Sequence, residues 1–191
     1  MRVPITALAA LALTSAAAAA PIRVGDTLTP FTLKDASGKQ VSLASIKASG
    51  GVVLIFMATR CPVSNAYNQR MAALTQDCAG KGVTVIGINS NRQEDAAEIV
   101  QHAKEHGLSF PILKDTGNVE ADAFGAQVTP EAFVFDPSWK LRYHGRIDDN
   151  QRGDNIHSQD LRAAIDAVLA GQAVPVPETK AFGCTIKRVA P

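Results

Sequence analysis

The sequence contains a buried-strand pattern that ends just before a cysteine and a proline, and this arrangement is compatible with few folds. Val52 to Met57 is continuously apolar and β-branched at its start, which is typical of a central strand covered on both faces. Cys61 and Pro62 follow closely, and proline suits the first turn of a helix because its missing N–H costs nothing there. The sequence therefore predicts that a strand gives way to a helix at Cys61.

A cysteine at such a corner is predicted to be exposed and reactive. Unpaired N–H groups and the positive end of the helix dipole stabilise a thiolate, which lowers the pKa of the Cys61 thiol. Arg60 adds positive potential beside it, and Ser64 could donate a hydrogen bond to the thiolate. The alternative is a buried, inert cysteine that closes a core strand.

The segments after this corner alternate between helix and strand patterns. Apolar residues near helical spacing between Pro62 and Ala79 predict one helix, and Val83 to Ile88 indicates a second buried strand. Asn91 and Glu94 are spaced as a helix cap, and the apolar stripe behind them runs to His106. Two successive strand and helix units predict parallel strands with helices packed on the faces of the sheet.

The rest of the chain shows shorter patterns. A polar turn divides residues 31–43 into a hairpin, and Pro137 and Ser138 separate two strands that should pair antiparallel. The other predicted elements are a strand over 110–113, a helix over 119–124, strands over 132–135 and 141–144, and a helix over 159–170 with Ser158 as its cap.

The N-terminus has the layout of a secretory signal peptide. Arg2 precedes an apolar run from Ile5 to Leu13, and a stretch of alanines follows. We expect residues 1–20 to be this signal peptide, and residues 21–191 to form one domain with 171–191 as a C-terminal tail. The protein is then periplasmic or secreted, without stable membrane insertion, because no later segment approaches the roughly 20 apolar residues that span a bilayer. The alternative is a disordered, alanine-rich tail.

Charge and cysteine content narrow the function. Without Arg2 the chain has 18 basic and 18 acidic side chains (19 minus 1, against 18), so no basic stripe predicts nucleic acid or an anionic membrane as a partner. Cys61, Cys78 and Cys184 allow at most one intramolecular pair. Cys78 shares an apolar helix stripe and, at ~1.5 Å rise per residue, lies about 25 Å from Cys61, which is too far for a disulfide.

Several segments together resemble a known superfamily. The residues Ala58-Thr59-Arg60-Cys61 look like the Ala-Thr-Trp-Cys that opens the active site of thioredoxin-superfamily proteins, and Thr129-Pro130 resembles the superfamily's cis-proline loop. Residues 130–136, 143–149 and 183–187 are similar to a bacterial peroxiredoxin-like branch, in the redoxin grouping of alkyl hydroperoxide reductases and thiol-specific antioxidants. The likeness covers most of residues 22 to 187.

This resemblance implies a fold and a binding surface. The expected fold is an α/β thioredoxin-like fold, with a central mixed β-sheet flanked by helices and an N-terminal hairpin extension. The cis-proline loop, Thr129 and Pro130, would lie beside the nucleophilic sulfur and offer backbone to an extended, disulfide-bearing partner, with Pro62 on the same binding surface.

Two departures from better-known relatives bear on the chemistry. Ser64 replaces the second cysteine of a Cys-x-x-Cys site, so the vicinal disulfide cannot form. Peroxiredoxins place their peroxide-reactive cysteine three residues after a threonine, whereas Thr59 is only two before Cys61. Cys61 therefore matches the first thioredoxin cysteine. Cys184 lies in a tail that is free to fold back over this site, and we hypothesise a reversible Cys61–Cys184 disulfide.

The expected function is thiol-disulfide exchange with an exported protein or a small thiol. Cys61 would attack the disulfide, and Cys184 or an external thiol reductant would resolve the mixed disulfide. The first alternative is a thiol peroxidase, in which peroxide oxidises Cys61 to a sulfenic acid. The second is a non-catalytic module that holds a partner or copper.

No cofactor and no metal are expected. His102 and His106 share a helix face at metal-ligand spacing, but no third ligand is evident, and a solvated surface is the alternative. Asp148, Asp149 and Asp154 lack the ligand order of a calcium loop and are interpreted as solvated charge.

Overall fold

The computed structural model describes residues 20–190, and the predicted signal peptide lies, apart from Ala20, outside the described residues. The elements in chain order are β1 (Thr32–Asp35), β2 (Gln40–Ser42), a 3-10 turn (Leu43–Ser45), β3 (Gly51–Phe56), α1 (Pro62–Ala66), α2 (Asn68–Ala79), β4 (Val83–Asn89), α3 (Ala96–Glu105), β5 (Ile112–Lys114), α4 (Val119–Phe124), β6 (Val128–Thr129), β7 (Glu131–Phe135), β8 (Leu141–Gly145), α5 (Asp160–Leu169) and β9 (Cys184–Thr185).

The strands form one large mixed sheet and one short ladder. The order in the sheet is β2-β1-β5-β4-β3-β7-β8, and β6 pairs with β9 alone. Strands β3, β4 and β5 run parallel, as the alternating strand and helix patterns predicted. The β1–β2 hairpin and the β7–β8 pair are antiparallel, so these predictions are confirmed as well.

The central strand β3 is covered on both faces. All six of its residues are buried. Val53 and Ile55 pack in one apolar cluster with side chains of α2, α3 and α5, whereas Leu54 and Phe56 pack in a second cluster with Phe124 and others beneath α4. A strand fixed on two faces delivers the residues that follow it to a defined position at the end of the sheet.

The predicted helix over 62–79 is two helices. Tyr67 separates α1 from α2 with φ −95° and ψ −6°. Its hydroxyl donates to Asp148 Oδ1 at 3.0 Å, and the guanidinium of Arg70 lies 3.7 Å from the centre of its ring. Asp148 is buried, so its interpretation as solvated charge was wrong. Burial, more than the neighbouring charge, raises the pKa of Tyr67.

Two predicted helix caps were also wrong. The N-cap of α3 is Asp95, whose carboxylate accepts the Glu98 N–H at 2.9 Å. The N-cap of α5 is Gln159, and the hydroxyl of Ser158 instead donates to Asp160 at 2.8 Å. In both cases the sequence contains several polar residues in a row, and any of them satisfies the spacing rule for a cap.

In the described part of the chain, no helix combines the length and the apolar character that crossing a membrane requires.

Candidate active site

Cys61 lies at the corner between β3 and α1. It is the N-cap residue of α1, with extended backbone angles of φ −89° and ψ 116°, and Pro62 occupies the first turn. The backbone N–H of Ser64 donates to Cys61 Sγ at 3.2 Å. The strand and the proline thus place the Cys61 sulfur within hydrogen-bond distance of a backbone N–H in the first turn of α1, where N–H groups have no partner within the helix.

Cys184 reaches this corner from the C-terminal tail. The short strand β9 pairs with β6, and the register places Cys184 opposite Thr129. Cys61 and Cys184 form a disulfide, with Cα atoms 5.8 Å apart at a sequence separation of 123. The Cα separation lies within the usual span for a disulfide. The structure thus contains the Cys61–Cys184 disulfide that was hypothesised from the sequence.

The cis-proline loop lies against the same sulfur. The Thr129–Pro130 peptide bond is cis. The carbonyl oxygen of Thr129 lies 3.4 Å from Cys61 Sγ, and the hydroxyl of Thr129 is buried with no hydrogen-bond partner among the described residues. Pro62 lies next to Cys61 in the chain, so the three residues predicted to bind substrate are grouped around the disulfide.

The predicted exposure of Cys61 is wrong for the disulfide form. Only 4% of Cys61 is accessible to solvent, whereas Cys184 is half-buried. The tail causes this burial because β9 lies over the corner. A cleft of about 220 Å³ leads to the disulfide, and its lining includes Arg60, Gln93, Glu94 and Lys187.

The polar groups of the Arg60 and Ser64 side chains are bonded to groups other than the sulfur. The guanidinium of Arg60 binds the carboxylate of Glu98, at 2.9 Å from Nε to Oε1 and 2.6 Å from Nη2 to Oε2, and this hydrogen bond lowers the pKa of Glu98. The hydroxyl of Ser64 accepts the Ala58 N–H at 3.1 Å. The contact expected from the Ser64 hydroxyl is made by its backbone N–H instead.

Glu94, whose spacing from Asn91 predicted a helix cap, is bonded to the loop before Cys61. Its carboxylate is 1% exposed and accepts the backbone N–H groups of Thr59 and Arg60 at 2.8 and 3.2 Å. It also accepts the side-chain amides of Asn89 and Asn91. One sequence signal could have placed Glu94 near Cys61, namely the Asn-Ser-Asn segment at the end of a predicted buried strand. Polar residues at the carboxyl end of a parallel strand lie near the start of the helix that follows the neighbouring strand.

The other candidate residues lie elsewhere. Cys78 is buried in the core on α2, and burial raises the pKa of its thiol. His102 is buried and its Nε2 lies 3.1 Å from Asn68 Nδ2, so it does not belong to a solvated surface, and burial lowers its pKa. Among residues 20–190, no group of three or more His, Cys, Asp or Glu side chains is arranged to hold a metal ion.

Comparison with known proteins gives relatives of two kinds. The chain is 30% identical over 125 residues to the thiol-disulfide oxidoreductase ResA of Halalkalibacterium halodurans, covering 65% of this chain and 66% of that protein. It is 32% identical over 124 residues to the chloroplastic peroxiredoxin Q of Sedum lineare, covering 61% and 65%. The chain thus spans just under two thirds of the length of these curated relatives.

Solved structures share the architecture. An uncharacterised protein from Sinorhizobium meliloti superposes with a TM-score of 0.83 at 36% identity, over 89% of this chain and 97% of the other. The thioredoxin domain of a thiol-disulfide oxidoreductase from Bacteroides vulgatus matches with a TM-score of 0.55 at 19% identity, over 63% and 86%. The fold is therefore thioredoxin-like, with a central mixed sheet, as the resemblance implied.

The family model described as the AhpC/TSA family matches residues 24–144, which is more than half of the chain and includes the corner of Cys61 and the cis-proline loop. The chain therefore belongs to the AhpC/TSA family, within the peroxiredoxin-like branch of the thioredoxin superfamily.

Proposed function

We propose that this protein is a thiol-disulfide oxidoreductase that uses Cys61 and Cys184 as its redox pair. The Cys61 thiolate attacks a substrate disulfide, forms a mixed disulfide with one sulfur and releases the other as a thiolate. The Cys184 thiolate then attacks the Cys61 sulfur, which releases the second substrate thiolate and leaves the Cys61–Cys184 disulfide. Two electrons pass from the protein to the substrate, and an external dithiol returns them.

The observation that carries this proposal is the disulfide at the corner. One partner is the sulfur that accepts the Ser64 N–H, and the other belongs to a tail strand paired with the cis-proline loop. A backbone N–H directed at sulfur stabilises the thiolate, so Cys61 is the better attacking and leaving group of the pair. The name of the ResA relative, a thiol-disulfide oxidoreductase, supports the same reaction.

The other predicted site residues receive positioning roles in this proposal. Thr129 and Pro130, with Pro62, form the surface that an extended disulfide-bearing segment of an exported protein contacts when β9 has left β6. Ser64 contributes its backbone N–H to the sulfur. Arg60 holds the loop before Cys61 through its ion pair with Glu98, and its charge is directed there rather than at the sulfur.

The test is disulfide exchange with single-cysteine variants. Wild-type protein should equilibrate with glutathione and glutathione disulfide, and should accelerate insulin reduction by dithiothreitol. Cys61→Ser should lower the exchange rate about 1,000-fold because it removes the nucleophile. Cys184→Ser should still form a mixed disulfide on Cys61, which accumulates and can be located by peptide mapping. Cys78→Ser is the matched control and should exchange at the wild-type rate; an active Cys61→Ser variant would contradict the proposal.

A thiol peroxidase is the second candidate, and the peroxiredoxin Q relative favours it. The Cys61 thiolate would attack peroxide to give a sulfenic acid and release an alcohol or water, and Cys184 would then condense with it to give the same disulfide and a second water. Stopped-flow mixing with hydrogen peroxide separates the two functions. A specialised peroxidase reacts orders of magnitude faster than an ordinary thiolate, whereas the exchange proposal predicts a slow, ordinary rate.

We also propose that residues 1–20 direct export, with cleavage before Ala20 or earlier. The supporting pattern is Arg2, the apolar run and the alanine stretch. The remainder would be one domain whose tail, 171–191, carries Cys184 into an oxidising compartment, where such a pair is useful. Expression of the full chain in a Gram-negative bacterium, followed by fractionation and N-terminal mass spectrometry, should yield a shortened protein in the periplasm. Full-length protein in the cytosol would contradict export.

A further inference from the structure

Glu94 is buried, and each of its two carboxylate oxygens accepts two hydrogen bonds from groups near the disulfide. Each oxygen accepts one backbone N–H from the loop before Cys61 and one side-chain amide, from the last residue of β4 or from the segment after it. Oε2 accepts from Thr59 at 2.8 Å and from Asn89, and Oε1 accepts from Arg60 at 3.2 Å and from Asn91 at 3.1 Å. A single side chain thus fixes two consecutive peptide groups immediately before Cys61.

The same segment also holds the tail that carries Cys184. The Lys187 N–H donates to Asn91 Oδ1 at 2.6 Å, and the Arg92 N–H donates to the Lys187 carbonyl at 2.9 Å. Asn91 is therefore bonded to Glu94 through its amide nitrogen and to the tail through its amide oxygen. Glu94 and Asn91 together connect the loop before Cys61 with the residue three positions after Cys184.

Lys114 and the tail fix the orientation of the two amides. The Nζ of Lys114 donates to Asn89 Oδ1 at 2.9 Å and to the backbone carbonyl of Asn91 at 2.6 Å. Asn91 Oδ1 accepts the Lys187 N–H, so both amide nitrogens face Glu94. Lys114 is partly buried, and this burial lowers its pKa, while the charge of Glu94 acts in the opposite direction. The arrangement is a closed polar network, and such a network holds its members in one geometry.

We propose that Glu94 is a positioning residue that sets the reduction potential of the Cys61–Cys184 disulfide by holding the two cysteine-bearing segments in register. The proposal rests on the exchange function described above. A thiol held near its partner has a high effective concentration, and loss of that hold favours the reduced form. Glu94 has no hydrogen bond to either sulfur and acts through the loop and through Asn91.

The test compares Glu94→Gln with wild type in glutathione redox buffers. Whichever way the glutamine lies, its amide nitrogen faces two N–H donors, so two of the four hydrogen bonds are lost. The effective concentration of the Cys184 thiol toward Cys61 should fall at least about tenfold, which corresponds to about 30 mV in reduction potential. Glu105→Gln, the same substitution at an exposed position of α3, is the matched control and should leave the potential unchanged.

A second variant keeps the proposal testable if Glu94→Gln does not fold. Asn91→Ala leaves the bonds from Glu94 to the loop but removes the link to Lys187, and it should lower the effective concentration in the same direction. Thermal melts of both redox forms distinguish positioning from general support, because equal losses in the two forms leave the potential unchanged. Folded variants with wild-type potentials would overturn the inference, whereas a wild-type disulfide that does not exchange with glutathione would overturn the proposed function itself.

Discussion

The two cysteines of the disulfide belong to regions that are built in opposite ways. Cys61 follows a strand whose six residues are all buried, and its backbone is fixed by Pro62 and by the helix it begins. Cys184 lies in a tail that follows α5, and the described part of this tail, up to residue 190, contains a single strand, the two-residue β9. The position of Cys61 is fixed by the core of the fold, whereas the position of Cys184 depends on how the tail docks on the domain.

The tail is docked on both sides of Cys184 by separate contacts. Before it, the tail pairs with His144 of β8: the Thr179 N–H donates to the His144 carbonyl at 3.0 Å, and the His144 N–H donates to the Pro177 carbonyl at 3.0 Å. After it, Ile186 is 3% exposed in the apolar cluster beneath α4, and its N–H donates to the Gln127 carbonyl at 2.9 Å. Contacts of this kind open locally at a lower free energy than the core does. Reduction of the disulfide should therefore loosen the tail without unfolding the domain.

The largest effect is expected from a substitution that prevents the tail from docking at one residue. A methyl group at Gly183 would overlap the Thr129 carbonyl oxygen, because the tail passes directly against the cis-proline loop there. Gly183→Ala should separate β9 from β6 and lower the effective concentration of the Cys184 thiol about 100-fold. Redox titration with glutathione measures this. Gly80→Ala, at a glycine with open space around it, should leave the titration unchanged.

A smaller effect is expected from Ile186→Ala. Truncation of a buried isoleucine costs roughly 2–5 kcal/mol, and the tail position should lie near the lower end, at about 2 kcal/mol, in the oxidised protein. In the reduced protein the tail can leave instead of enclosing a cavity, so the loss should be smaller. Denaturant unfolding of both forms measures the difference. Ile99→Ala in the core should cost similar amounts in the two forms, and the same behaviour at Ile186 would contradict separate docking.

The parts of the fold that could be predicted from the sequence are those with local patterns. The corner at Cys61 is determined by an apolar run and a proline, which are adjacent in the chain, and the predicted strand and helix start agree with the structure. The helix over 119–124 was likewise predicted at its observed bounds. Local patterns specify these elements because their neighbours in sequence are also their neighbours in space.

The parts that the sequence did not predict depend on distant partners. The division of the helix at Tyr67 involves Asp148, which lies 81 residues away. The role of Glu94 depends on the loop before Cys61, 34 and 35 residues away, and a capping pattern offered a local explanation for the same residue. The burial of Cys61 depends on a tail 123 residues away. Sequence spacing alone does not give these distances.

The smallest expected effect concerns the helix on which the end of the tail docks. Arg188 binds Asp122 of α4 at 2.8 Å, and burial, together with the charge of Asp115, raises the pKa of Glu120 on the same helix to about 7. A raised acid pKa stabilises the folded state below pH 4.5, and this contribution is lost as the pH rises through about 7. Glu120→Gln should therefore raise the free energy of unfolding at pH 8 by about 1 kcal/mol, since partial exposure screens the charge, with a smaller change at pH 5.

The Glu120→Gln gain should be equal in the oxidised and reduced forms, because Glu120 belongs to α4 of the domain and its carboxylate has no hydrogen bond to the tail within the described residues 171–190. Denaturant unfolding at both pH values, in each redox form, measures this. A gain confined to the oxidised protein would mean that ionisation of α4 acts through the docked tail, and the boundary between the fixed region and the docked region would then have to include α4.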